Sequence, residues 1–125
     1  EGAGHEIAIE VVGAASVRDA ETVGREVARS NLFKCAIFGG DPNWGRVLSA
    51  IGVIDAVFEA DRLDVFFNGI QVCRDGGIGD PRELVDLSGR KVHVLIDLHA
   101  GEAAATILTT DLTYEYVKEN AEYSS

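Results

Sequence analysis

The sequence predicts an α+β domain with a mainly antiparallel sheet and packed helices. Three observations carry that expectation. Apolar and polar residues alternate at 6–12 and 91–98, as strands with one buried face require. Apolar positions recur at helical spacing at 17–27 and 44–51. Asn68-Gly69 separates two apolar runs by two residues, the signature of a tight β-hairpin.

Residues 6–12 read as the first strand, with Ile7, Ile9 and Val11 on one face, Ala8 and Glu10 on the other, and Gly13 closing it. Ser16 caps a helix through about Arg29, with Asp19 three residues on as a near capping box. Val17, Ala20, Val23 and Val27 line its inner face, while Arg18, Glu21, Arg25 and Arg29 look outward. Residues 34–38 (KCAIF) read as a short internal strand that Gly39-Gly40 break. Asp41-Pro42 then start a second helix: Asp41 accepts from the free backbone donors, and Pro42 fits the first helical position. Trp44, Val47, Leu48 and Ile51 form its apolar face, and Gly52 suits a left-handed C-cap.

The hairpin of residues 63–67 and 70–74 pairs Phe67 with Ile70, Phe66 with Gln71, Val65 with Val72 and Asp64 with Cys73. Glycines and prolines dominate 75–89, where only 82–87 holds a short element. Residues 91–98 alternate strongly and turn at Gly101-Glu102 into a partner strand at 103–110, a second hairpin. Thr113 caps a last short helix to about Asn120, with Leu112 reaching Val117 as a hydrophobic staple, and residues 120–125 end the chain.

The chain holds 21 acidic and 11 basic side chains in 125 residues, a formal net charge of −10. Such a charge repels phosphate backbones and argues against a nucleic-acid partner. Hydrophobic content of 46% with 26% charge excludes a disordered acidic tail. No apolar run approaches the roughly 20 residues that cross a bilayer, and no signal-peptide pattern opens the chain. The two cysteines, Cys35 and Cys73, form neither a disulfide framework nor a metal-ligand spacing, which suits a reducing cytosol. Without a repeat or linker, residues 1–125 read as one domain. There is no Met, and the sequence opens on Glu1, so it reads as a piece of something longer.

Several residues carry chemistry by type. A strand, Gly39-Gly40 and a helix start would make an anion cradle, but Asp41 places a negative charge there and Pro42 removes a donor, which favours a capped turn. His93, Asp97 and His99 share one face of a strand; alternate side chains lie roughly 7 Å apart, too far for one ion, so a solvated face is the expectation. Cys35 and Cys73 have no neighbouring His or helix start to activate a thiol. Arg46 reads as a surface ion-pair residue. At the chain end, Asn120, Ser124 and Ser125 offer an amide, hydroxyls and a terminal carboxylate suited to an amino acid's ammonium and carboxylate, although chain ends commonly fray.

Residues 34–51 (KCAIFGGDPNWGRVLSAI) closely resemble the signature stretch of the ornithine acetyltransferases, the glutamate N-acetyltransferases of arginine biosynthesis. The resemblance continues through FFNG, through Val85-Asp-Leu-Ser-Gly89 and into the ending TDLTYEYVKENAEYSS, so it spans essentially the whole chain. It implies a precursor that cuts itself into an α and a β chain, the new β-chain N-terminus being a nucleophilic Thr. That Thr takes acetyl from N-acetylornithine and passes it to glutamate in a ping-pong scheme, with oxyanion donors in the α chain. This sequence holds neither, and resembles the C-terminal part of the β chain within the larger self-cleaving acetyltransferase fold. No cofactor is implied beyond acetyl-CoA, the second acetyl donor that separates bifunctional from single-function members and about which the sequence is silent.

The resemblance carries over three substrate-binding residues. Glu1 matches the Glu of the family's Glu-Gly-Ala/Val-Thr-Lys block, with departures at Gly4 and His5. Asn120 and Ser125 match the family's substrate-binding Asn and its terminal Thr or Ser five residues later. The implied partners are the α chain and the rest of the β chain, in a hetero-oligomer, with N-acetylornithine and glutamate as ligands. Nucleic acid and membrane are not expected, and the location is cytoplasmic. A reading from another class stands beside this one: a non-catalytic α+β module that binds a small molecule or serves assembly. A self-cleaving aminopeptidase on a related fold is a third.

Overall fold

The computed structural model describes residues 4–111. The alternation near the start builds β1 (Glu6–Ala14), which sends Ile7, Ile9 and Val11 into the core and turns Glu10 outward. In α1 (Val17–Ala28) the Ser16 hydroxyl accepts the Asp19 N–H at 3.0 Å, satisfying a first-turn donor that the helix itself cannot. Ala20, Val23 and Val27 are buried as expected, but Val17, a turn ahead of that stripe at the helix end, stays exposed. Asp19 closes no capping box; its carboxylate accepts the Val57 N–H at 3.1 Å and ties the 52–58 loop to the helix.

Residues 34–38 are helical, a correction to the expected strand. They belong to α2 (Asn31–Phe38), whose N-cap Ser30 accepts the Phe33 N–H at 3.2 Å and whose Phe33, Ala36 and Ile37 are buried at helical spacing. A five-residue apolar run fits either element, and the capping serine decides. The next helix, α3 (Trp44–Ile51), starts later than Asp41-Pro42: its N-cap is Asn43, whose Oδ1 accepts the Arg46 N–H at 3.1 Å. Val47 and Ile51 are buried, with Trp44 and Leu48 packed against the core. Gly52 is right-handed (φ −67°), so the expected left-handed cap is absent there.

The Asn-Gly hairpin forms between β2 (Asp64–Phe67) and β3 (Ile70–Arg74), with both turn residues at positive φ (Asn68 50°, Gly69 86°). Phe67 faces Ile70 and Phe66 faces Gln71, but Val65 faces Cys73 rather than Val72 because a bulge intervenes. The extra residue lets Val72 and Cys73 both be buried. A two-residue edge strand, β4 (Gly77–Ile78), follows, and Arg82–Leu84 makes one 3-10 turn.

The last described strands are β5 (Lys91–Asp97) and β6 (Ala103–Thr110). They do not pair with each other, contrary to the expected second hairpin. The sheet order is β4-β3-β2-β5-β1-β6, so β1 lies between them, parallel to β5 and antiparallel to β6. The connection passes over the end of β1, where Leu98 and Ala100 donate to the Val12 and Gly13 carbonyls at 3.0 and 2.7 Å. The inner positions of β1 are fully buried, which fits an interior slot, whereas β6 exposes every second residue, including Leu108 at 77%, and takes the edge. Every pairing but β1–β5 is antiparallel, so the α+β class with a mainly antiparallel sheet holds.

Candidate functional site

Glu1, Asn120 and Ser125 lie outside the described residues, as do the helix expected from Thr113 and its staple. What the fold provides is the place where the chain enters and leaves the sheet. The β1–β6 ladder ends at the pair Glu6–Thr110, and one step beyond it Asp111 N–H donates to the His5 carbonyl at 3.3 Å. The segments bearing the expected substrate residues therefore depart from neighbouring points.

His5 and Asp111 make a tight polar junction there. The Asp111 side chain is fully buried; its Oδ1 accepts the His5 backbone N–H at 2.5 Å, and its Oδ2 lies 2.6 Å from His5 Nδ1. The other ring nitrogen, Nε2, is 2.7 Å from the Leu87 carbonyl. A Cβ on Gly4 would collide with the Asp111 carboxylate, so glycine keeps that space open. A recess of about 820 Å³ opens beside this junction, lined by Glu6, Ala8, Asn68, Lys91, His93, Leu108 and Thr110 among others. Glu6 pairs with Arg90 at 3.1 Å and His93 with Glu10 at 2.8 Å. This end of the sheet combines an apolar floor with charged side chains of both signs.

His93, expected on a solvated face, stays there and joins no cluster with Asp97 and His99. Those two instead meet Asp64 from β2: Asp97 is its cross-strand partner, and a left-handed backbone at His99 (φ 51°) folds the chain back toward it. His99 Nε2 is 2.7 Å from Asp64 Oδ2, and the His99 N–H donates to Asp97 Oδ1 at 3.0 Å. The three donor atoms lie within 4.8 Å of one another, compatible in spacing with a metal, yet the groups already satisfy one another. Burial works to raise the Asp64 carboxyl, but hydrogen bonds from the Asp75 backbone and the His99 ring, with that ring's charge, hold it below the usual carboxylate range.

The Gly-Gly-Asp-Pro turn has no anion-cradle character. Asp41 Oδ2 accepts from Asn43 at 3.2 Å, while Oδ1 has no hydrogen-bond partner and lies 3.5 Å from the Arg82 guanidinium, an ion pair without hydrogen-bond geometry. Among the described residues Arg46 has no acidic partner: it donates to the Leu32 carbonyl at 2.8 Å and joins α3 to α2. Cys35 is exposed, and Cys73 is buried with its thiol pushed up to about 11, mainly by burial and further by the nearby Asp64 and Asp75 charges. The Cys73 thiol is therefore not an activated nucleophile. Among the described residues no histidine hydrogen-bonds a hydroxyl or thiol, so the arrangement can bind and orient but holds no acyl-accepting pair.

Sequence reasoning missed His5, Asp111 and Asn68. The first two are 106 positions apart with no local pattern linking them. Asn68 was visible as a turn residue, but its side chain also donates to the Asp86 carbonyl and accepts the His93 N–H, each at 2.8 Å.

The model of the ArgJ family matches residues 1–125. The chain is 61% identical over 125 residues to the arginine biosynthesis bifunctional protein ArgJ of Streptomyces coelicolor, and 62% identical to that of Thermobifida fusca. Each match covers all of this chain and 33% of the relative, so the chain spans about a third of the length of the curated relatives it matches. The crystal structure of arginine biosynthesis bifunctional protein argJ from Bacillus halodurans superposes with a TM-score of 0.89 at 34% identity, covering 98% of this chain and 60% of that one.

Proposed function

The chain belongs to the ArgJ family, and on that premise we propose that it is the substrate-holding part of an arginine-biosynthesis acetyltransferase. The parent enzyme moves acetyl from N-acetylornithine to glutamate through an acyl-Thr intermediate. The Thr, the oxyanion donors, the α chain and the remainder of the β chain come from the rest of the precursor, cut by itself and reassembled in the cytosol as a hetero-oligomer. The observation that carries this reading is the match along all 125 residues to relatives named as bifunctional arginine-biosynthesis proteins. That same word favours acetyl-CoA as a second acetyl donor. No other cofactor is called for.

Glu1, Asn120 and Ser125 are the substrate contacts in this proposal. A carboxylate at Glu1 attracts an ammonium of either amino acid, and the Asn120 amide and the Ser125 hydroxyl offer donors and acceptors. The fold supports bringing them together, since the segments that carry them depart from adjacent points at His5 and Asp111.

The test is kinetic. In the full-length enzyme, Asn120→Ala should raise KM for N-acetylornithine and glutamate by about tenfold or more, the loss of one or two substrate hydrogen bonds. Unchanged kinetics would remove Asn120 from the site. Failure of the full-length enzyme to make N-acetylglutamate from either donor would reject the function itself.

A further inference from the structure

We propose that His5 and Asp111 are positioning residues for the substrate site: their buried couple clasps the two chain segments that run on to Glu1 and to Asn120 and Ser125. This rests on the proposed function, which places those three residues at the substrate.

The hydrogen bonds leave no polar group of the clasp idle. The Leu87 carbonyl can only accept, so His5 Nε2 donates to it at 2.7 Å. Nδ1 lies 2.6 Å from Asp111 Oδ2, while Asp111 Oδ1 accepts the His5 backbone N–H. Both ring nitrogens and both carboxylate oxygens therefore have a partner.

Position gives the clasp its role. One ring joins three stretches of chain: the entry at His5, the 85–89 segment through Leu87, and the exit at Asp111. The strand pairing stops at Glu6–Thr110. Beyond it, the described contacts between entry and exit are those of His5 and Asp111 and one backbone hydrogen bond of 3.3 Å. Gly4 leaves room for the carboxylate to enter. Part-buried polar couples are weak sources of stability, and in some proteins they serve to fix one arrangement. Here the groups held together are the two points from which the segments depart, and small misplacements of positioning groups are costly.

Asp111→Asn, His5→Gln and His5→Lys in the full-length enzyme test the proposal, with acetyl-transfer kinetics and backbone hydrogen exchange of the 112–125 peptide read by mass spectrometry. Expected for Asp111→Asn and His5→Gln is a rise in KM for both amino-acid substrates of about tenfold, kcat within about threefold, and faster exchange in that peptide. His5→Lys keeps a nitrogen donor facing Asp111 and should recover most of both effects. A lower melting temperature with unchanged KM and exchange would show a purely structural pair and overturn the proposal. So would a Lys variant as impaired as Gln. If the unsubstituted enzyme transfers no acetyl, the proposed function fails, and the exchange of the 112–125 peptide alone then upholds or rejects the clasp.

Discussion

Asn68 shows how much one side chain adds to a turn that could be read from its dipeptide. The Asn-Gly pair supplies two residues at positive φ, which the hairpin requires. The structure adds that Asn68 Oδ1 accepts the His93 N–H of β5 and Nδ2 donates to the Asp86 carbonyl, pinning the 85–89 segment to the sheet. Three variants separate the contributions. Asn68→Ala loses both side-chain bonds and forces a left-handed Ala, together about 2–4 kcal/mol. Asn68→Gly restores the backbone freedom but not the bonds, so it should lie between, about 1–2 kcal/mol below Asn. Chemical denaturation of the full-length protein measures both, and a Gly variant as stable as Asn would show that the two bonds contribute nothing. His5 and Asp111 mark the opposite limit of legibility, because a contact between residues 106 apart leaves no spacing to read.

Elements were legible where their period was long. The alternation of 91–98 gave β5, the bounds 103–110 match β6, and the apolar positions Ala20, Val23 and Val27 line α1 as expected. Short or junctional features were not: KCAIF carries too few residues to separate period two from 3.6, and Ser30 as its helix cap was the signal available. The pairing of β5 with β6 failed for another reason. Neighbours in sequence commonly pair, but β1, apolar along its inner face and bonded on both sides, fills the interior slot. Packing between elements also has a glycine the sequence did not flag. A Cβ on Gly24 of α1 would lie 2.6 Å from Ile107 Cγ1 of β6, so the helix sits unusually close to the sheet. In Gly24→Ala the gain in helix propensity, about 1 kcal/mol, works against that contact, and a small shift of Ile107 leaves the two nearly balanced. Gly24→Val adds two more methyl groups with nowhere to go and should destabilise by about 1–3 kcal/mol. Equal denaturation midpoints for Val and Gly would show that α1 can lift off β6 at no cost.

At the scale of the whole molecule, the described residues form a recess at one end of the sheet but place no histidine against a hydroxyl or thiol. Acyl transfer needs a nucleophile and a base to activate it. Among the described residues, the Ser16 and Ser30 hydroxyls cap helices, Ser88 donates to Asp86, and Cys73 is a buried thiol held protonated at neutral pH by a pKa near 11. His5, His93 and His99 each face a carboxylate rather than a hydroxyl. The 125-residue chain made alone should therefore transfer no acetyl from N-acetylornithine to glutamate, whereas under the proposed function the full-length enzyme should. Circular dichroism would first establish that the isolated chain is folded, so that inactivity reports missing chemistry and not a missing fold. Product formation that rises with the concentration of the isolated chain would mean that a nucleophile lies within these 125 residues, and the division of labour between this segment and the rest of the precursor would have to be redrawn.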